Sequence, residues 1–270
     1  MGAYQVRPKK HLGQHFLKDK RIAAAIVDAL KAEGCDTVIE VGPGMGVLTQ
    51  FLTEKNLPHL RVVEIDREAV EYLKNNLAGS IEIIEGDFLE MDLRPLGETI
   101  AVIGNFPYNI SSQIFFKILE NRGRVTEAVG MVQKEVAERI CSDPGSRVYG
   151  ILSVLLRAWY DIEYLFTVSE NVFSPPPKVK SAVIRLTRNR VEQLGCDEKL
   201  FVSVVKRCFN QRRKMIRNPI KEMVRHDAAD MPLLTLRAEQ LSVSQFVELT
   251  NWVATNRMQQ PGKESGGQKE

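Results

Sequence analysis

Short apolar runs alternate along the chain with segments whose apolar residues recur every three to four positions, the pattern of strands interleaved with helices. Ile22, Ile26, Val27 and Leu30 share one helical face, and Gly34 supplies a stop. A β-run over 38–41 then breaks into Gly42, Gly44 and Gly46 before a helical pattern resumes over 47–54. Further strand-like runs occupy 59–64, 81–84, 100–104, 127–133, 161–168 and 181–186, the last closing the sheet. Helical spacing predicts a helix over 67–76, one capped by Ser111 that carries Ile114, Phe115, Ile118 and Leu119, and helices over 134–139 and 150–159. Such alternation predicts an α/β fold, a Rossmann-like sheet with helices on both faces.

Beyond Arg190 the strand pattern ends. Leu200, Phe201, Val204, Val205, Cys208 and Phe209 fall on one helical face, and further short helices are expected over 233–252, capped by Ser242 or Ser244. The expected organisation is a basic arm over 1–21, an α/β domain over 22–190, a small all-helical domain over 191–258 and a disordered tail over 259–270, whose Gln, Gly, Lys and Glu have nothing to bury.

Hydrophobic content of 44% and charged content of 26% are ordinary for a soluble globular protein. No apolar run is long enough to span a bilayer, and the basic N-terminus lacks a signal-peptide core, so a cytoplasmic protein without a membrane partner is expected. Cys35, Cys141, Cys196 and Cys208 are scattered, as reduced packing thiols are, and neither they nor His11, His15, His59 and His226 have metal-ligand spacing, so no metal is expected.

Charge changes the picture by its location. The net charge is only +3, but 206–225 holds eight Lys/Arg against one Glu, including Lys206, Arg207, Arg212, Arg213, Lys214 and Arg217. A merely solvated helix face usually mixes both signs; this density suits neutralisation of nucleic-acid phosphates. Residues 7–21 carry six Lys/Arg and one Asp among apolar residues, which reads as an arm that docks or as a solvated extension.

The candidate chemistry sits at strand ends. Alternate glycines at 42, 44 and 46 let the backbone turn sharply and lie against a nucleoside, with Gly42 and Gly44 as its contacts. A dinucleotide fingerprint would need its third glycine at Val47, so an NAD-dependent oxidoreductase is disfavoured. Glu64, at the end of the next strand, is placed to take a ribose. Asp87 and Phe88 follow the third strand, where Asp87 either accepts from an adenine amino group or caps the turn. After the fourth strand, Asn105, Phe106, Pro107 and Tyr108 offer an amide oxygen, a rigid backbone carbonyl and a flat stacking face, which suit an exocyclic amine on a planar base. The three prolines 175–177 stiffen a loop that either presents Phe173 to the site or covers it as a hydrophobic plug.

Taken together, Leu12-Gly13-Gln14-His15-Phe16-Leu17, Glu40-Val41-Gly42-Pro43-Gly44 with Glu64 and Asp66, Asn105-Phe106-Pro107-Tyr108-Asn109-Ile110-Ser111, Phe173 to Val179 with Ser181-Ala182-Val183, and Gln211-Arg212-Arg213-Lys214 with Arg217-Asn218 resemble the rRNA adenine N6,N6-dimethyltransferases of the KsgA type. The resemblance covers residues 9 to 255 or so and implies a class I methyltransferase sheet. It also implies S-adenosyl-L-methionine as cofactor, with S-adenosyl-L-homocysteine as product, and two adjacent adenosines of 16S rRNA in the small ribosomal subunit as target. It assigns cofactor contacts to His15, Leu17, Gly42, Glu64, Asp87 and Asn105, which suggests that the basic arm folds over the cofactor. Asn105 and the Phe106 carbonyl would hold the target amine, Tyr108 and Phe173 would stack on the base, and the C-terminal Lys/Arg would grip RNA. A monomer is expected. Two departures stand out: Phe106 where Leu is commonest, implying a bulkier pocket wall, and Ile151 where many relatives have Arg. A large-subunit rRNA dimethyltransferase and a non-catalytic assembly factor of the same fold remain open.

Overall fold

The computed structural model describes residues 6–258 apart from Asn56, Ala78 and Ser80; the expected tail and the first five residues of the arm lie outside the described residues. Two compact units emerge. The first comprises the described residues up to Ser142 together with Trp159–Arg190, and the second comprises Asp143–Ala158 together with the described residues from Val191 onward. The second unit resumes after Arg190. In place of a contiguous α/β domain over 22–190, residues 143–158 group with the C-terminal helices, and the arm groups with the sheet.

In the first unit, β1 (Phe16–Leu17) precedes α1 (Lys20–Ala29), which Asp19 caps by accepting the Arg21 N–H. Ala23, Ile26 and Val27 face inward. The helix stops before Gly34, because Glu127 takes the N–H groups of Lys31 and Ala32 and Ala32 adopts a positive φ. Strands β2 (Thr37–Val41), β3 (Leu60–Glu64), β4 (Glu82–Glu85), β5 (Ile100–Asn105), β6 (Val125–Gln133), β7 (Tyr160–Val168) and β9 (Ser181–Arg188) form one sheet in the order β4-β3-β2-β5-β6-β9-β7. The order places β9 between β6 and β7, antiparallel to both, so the last run fills the sheet instead of closing its edge. The rest of the sheet is parallel, and every residue of β2 is buried, as a strand covered on both faces must be.

Helix α2 (Thr49–Leu52) is shorter than the 47–54 pattern, because the glycine turn occupies its start. Helix α3 (Arg67–Asn76) matches its prediction; Asp66 caps it and Ala69, Val70 and Leu73 are buried. Helix α4 (Ser111–Glu120) buries Ile114, Phe115, Ile118 and Leu119, and α5 (Lys134–Cys141) follows β6. A separate two-residue strand, β8 (Phe173–Ser174), pairs antiparallel with β1.

The second unit consists of α6 (Ile151–Arg157), α7 (Glu198–Asn210), α8 (Arg217–Ile220), α9 (Val243–Thr255) and short 3-10 turns. Asp197 caps α7 through the Leu200 N–H, and Ser242 and Gln245 cap α9 reciprocally, which resolves the Ser242/Ser244 alternative. Leu200, Phe201, Val204, Val205 and Cys208 are buried, the first four worth about 1.5–3 kcal/mol each if fully withdrawn from water. Among the described residues no helix is long and apolar enough to cross a membrane.

Candidate active site

Strands β2, β3, β4 and β5 run parallel and deliver their carboxyl ends to one edge of the sheet, where a cleft opens. Its first lobe is lined by Gly42, Glu64, Asp87, Phe88, Asn105 and Tyr108, with the arm's residues 12–16 as a wall. A second lobe extends over Glu40, Met45 and Leu48, and Phe16, Gly42, Gly44 and Asn105 border both.

The turn after β2 is held at positive φ by all three glycines. At Gly44 a Cβ would stand 2.9 Å from the Phe16 ring, so glycine serves the left-handed backbone and leaves room for the arm. Glu64 locks this turn to β3. Its Oε2 accepts the Gly44 N–H at 3.0 Å and its Oε1 accepts the Asp66 N–H at 2.9 Å. Burial pushes the Glu64 carboxyl above its ordinary range, with the backbone N–H bonds opposing that shift. Each carboxylate oxygen retains capacity for one more donor, as a ribose diol requires.

Glu40, one strand away, stands in the sequence within an apolar run and the glycine motif, with no role of its own. It is fully buried, accepts from Thr49 Oγ1 at 2.7 Å, and burial pushes its carboxyl up to about 8. Asp87 combines its two readings: Oδ1 accepts the Leu89 N–H at 2.8 Å to close the turn, and the residue also lines the cleft. Phe88, which is buried, and Ile65, which is half exposed, add apolar surface. A backbone turn without Cβ atoms, a held carboxylate, a second acidic group and apolar walls fit an adenosine moiety.

Asn105 ends β5 with its Nδ2 donating to the His15 carbonyl at 2.9 Å, which leaves Oδ1 as the acceptor. Phe106 is among the residues lining the cleft, although its bulk is turned away from solvent. Its ring is buried, edge-on to Phe115 at 5.7 Å, and occupies space that only glycine leaves: a Cβ on Gly130 would lie 2.4 Å from it. The Tyr108 hydroxyl meets Ser181 Oγ at 2.5 Å, and its ring stacks on His15 with centroids 5.3 Å apart. Burial pushes the Tyr108 phenol up, which keeps it protonated at neutral pH. Ser111 is the first helical residue, with Ile110 as N-cap, and its hydroxyl donates to the Tyr108 carbonyl at 3.2 Å.

The arm docks across the cleft. Lys9 Nζ and Gln14 Nε2 donate to the two carboxylate oxygens of buried Asp66 at 2.5 and 3.1 Å, and Lys18 N–H donates to the Val172 carbonyl. Burial is the largest single influence and would raise the Asp66 carboxyl, but the hydrogen bonds from Lys9, Gln14 and the Glu68 N–H together hold it below its ordinary value. Leu17 is buried while bordering the second lobe, and His15 borders the first.

Not every expected residue arrives. Phe173 lies outside both lobes: β8 pairs with β1 opposite Leu17, and the ring is buried in the same core cluster as Ile26 and Val183, so the plug reading describes it. In the second unit, Arg207 is engaged by the Pro219 carbonyl and Glu222, and Arg212 by the Ser146 carbonyl with Glu239 nearby. Lys206, Arg213, Lys214 and Arg217 are exposed, and Ile151 begins α6 in this unit. Sequence reasoning gave no separate role to Phe16, Asp66 or Ser181, although each stood inside a motif; their partners are remote in sequence. No group of three His, Cys, Asp or Glu residues suited to a metal occurs among the described residues.

The model of the ribosomal RNA adenine dimethylase family matches residues 6–255. The chain is 59% identical over 252 residues to a protein of Parabacteroides distasonis named ribosomal RNA small subunit methyltransferase A, covering 91% of this chain and 93% of that protein. A protein of the same name from Flavobacterium johnsoniae is 54% identical, covering 94% and 99%. Among solved structures, a dimethyladenosine transferase from Plasmodium falciparum superposes with a TM-score of 0.75 at 25% identity, covering 87% of this chain and 96% of that one. The 23S rRNA methyltransferase ErmE does so with 0.65 at 26% identity, covering 88% and 99%. A family match spanning nearly the whole described chain, on a Rossmann-like methyltransferase sheet, shows that the chain belongs to the ribosomal RNA adenine dimethylase family.

Proposed function

We propose that this chain methylates N6 of two adjacent adenosines near the 3′ end of 16S rRNA in the small ribosomal subunit, giving N6,N6-dimethyladenosine, and so takes part in ribosome assembly. The observation that carries this proposal is the convergence on one cleft of a glycine turn suited to a nucleoside and an Asn-Phe-Pro-Tyr turn suited to an exocyclic amine. The small-subunit name borne by relatives above 50% identity supports the target, whereas the large-subunit enzyme resembles this chain at 26%.

S-adenosylmethionine supplies a methyl group already activated by its positive sulfur. Gly42, Gly44, Glu64 and Asp87 would hold its nucleoside, with His15 and Leu17 on the arm side. Asn105 Oδ1 and the Phe106 backbone carbonyl would accept the N6 protons of an extruded adenine, drawing the nitrogen lone pair out of conjugation, while Tyr108 holds the ring. The residues work by alignment and exclusion of water, and alignment alone contributes up to roughly 7–11 kcal/mol in well-oriented systems. Exposed Lys206, Arg213, Lys214 and Arg217 would contact RNA phosphates, while Arg207 and Arg212 brace their own unit.

Methyl transfer to undermethylated small subunits, followed by nucleotide mapping, tests this directly. Two neighbouring dimethyladenosines near the 3′ end are expected. Modification confined to large-subunit RNA, or RNA binding without transfer, would overturn the proposal in favour of a large-subunit enzyme or an assembly factor.

A further inference from the structure

The aromatic and amide groups of the acceptor turn are tied to two residues from distant parts of the chain. Ser181 is buried at the start of β9, where its backbone is paired with Gln133 of β6 and Val168 of β7. It is therefore a fixed anchor, and its Oγ lies 2.5 Å from the Tyr108 hydroxyl. On the arm, the His15 ring stacks on Tyr108 at 5.3 Å with 29° between planes. That ring is itself held, its Nδ1 2.8 Å from the Pro175 carbonyl; a carbonyl can only accept, so Nδ1 carries the proton. The His15 backbone carbonyl accepts from Asn105 Nδ2 at 2.9 Å. Tyrosine has two side-chain torsions to fix and an asparagine amide has two orientations; these contacts settle both before any substrate arrives.

We propose that Ser181 and His15 are positioning residues of the acceptor site. Ser181 fixes the Tyr108 ring through its hydroxyl, and His15 covers one face of that ring and turns the Asn105 amide so that its oxygen meets the target amine. An incoming adenine then finds a single aromatic face and a preset acceptor, a preorganisation that acts on the rate of transfer and leaves cofactor affinity to the glycine turn. The proposal rests on Asn105 and Tyr108 being the acceptor site.

The test uses the full chain with undermethylated small subunits. Ser181→Ala, Tyr108→Phe and their double variant are compared for kcat, KM for the subunit, cofactor affinity by calorimetry and thermal midpoint. Each single change is expected to lower kcat roughly three- to tenfold, the worth of one neutral hydrogen bond, with cofactor affinity within about twofold of the parent. The double variant should be no slower than the slower single, because both changes break one bond. Multiplying effects, or native kcat in Ser181→Ala, would overturn the role of Ser181. Should that variant not fold, Tyr108→Phe cuts the same bond from the other end, and native kcat there overturns it equally. For His15, measured at saturating cofactor, His15→Phe keeps a flat ring over Tyr108 and should recover several-fold of the kcat lost in His15→Ala; equal impairment would contradict stacking as the reason. Native transfer by Tyr108→Ala would instead refute the underlying acceptor site.

Discussion

Strands β2 and β5 lie side by side and parallel, and each runs into a turn and then a helix at the same edge of the sheet. The turn after β2 works by lacking side chains: three glycines at positive φ expose backbone and leave space that Phe16 and a ligand can share. The turn after β5 works by presenting them, with Asn105 and Tyr108 aimed at the cleft and Phe106 buried underneath. One topology thus provides two kinds of recognition within one cleft. On the proposed reading, a donor common to many reactions would be held by backbone and carboxylate, and an acceptor particular to one reaction by an amide and an aromatic ring.

The largest effect that could break this contrast lies on the acceptor side. Asn105→Ala or Tyr108→Ala should lower methyl transfer by on the order of 100- to 1000-fold, with RNA binding by filter assay within a few fold of the parent. Parallel loss of RNA binding would mean that these residues recognise the RNA at large.

Beneath the glycine turn, Glu40 is a buried acid whose carboxyl is pushed from 4.5 to about 8. Between those values the folded chain keeps a proton that the unfolded chain has released, so its contribution to stability falls as pH rises through that window and is constant below it. Glu40→Gln should therefore gain stability relative to the parent between pH 5 and pH 8, by on the order of 3 kcal/mol. Denaturant unfolding at the two pH values checks this; a pH-independent difference would contradict it.

Beneath the acceptor turn the corresponding feature is packing. Gly130→Ala should destabilise by about 1–3 kcal/mol by driving a methyl group into the Phe106 ring, and adding Phe106→Leu should restore part of the loss. Unfolding free energies of the three variants decide, and a neutral Gly130→Ala would show that the ring is loosely held. A smaller effect is expected at Gly44→Ala, where a left-handed residue gains a Cβ next to Phe16. Cofactor affinity should drop about tenfold, because the turn must shift from its ligand-facing position to relieve strain worth about 1–2 kcal/mol.

Both turns were legible in sequence because each is written in contiguous residues: a glycine spacing, a strand before it, a helical period after it. Glu64, Asp87 and Asn105 followed from their places at successive strand ends. What joins the turns was not legible, because it depends on pairs far apart in the chain. Tyr108 and Ser181 are separated by 73 positions, and Asn105 and the His15 carbonyl by 90. Phe173 shows the same limit. A proline-stiffened loop left a displayed ring and a hydrophobic plug both open; the two-residue pairing of β8 with β1 turns the ring inward, and two residues are too short for a strand pattern. The basic cluster was visible as density, yet its split into exposed groups and internal braces depended on where Pro219, Glu222 and Ser146 came to lie. Residues 143–158 joined the second unit for a similar reason, since a buried helix shows what it hides and not what hides it.

The division of labour between the two turns is tested most directly by measuring the cofactor dissociation constant and the single-turnover methylation rate at saturating cofactor on Gly44→Ala and Tyr108→Ala side by side. The expected result is a crossed pattern: weakened cofactor binding with near-parental transfer in Gly44→Ala, and near-parental binding with transfer largely lost in Tyr108→Ala. If both variants lost both properties in proportion, the cleft would be a single undivided site and the contrast between its two turns would be wrong.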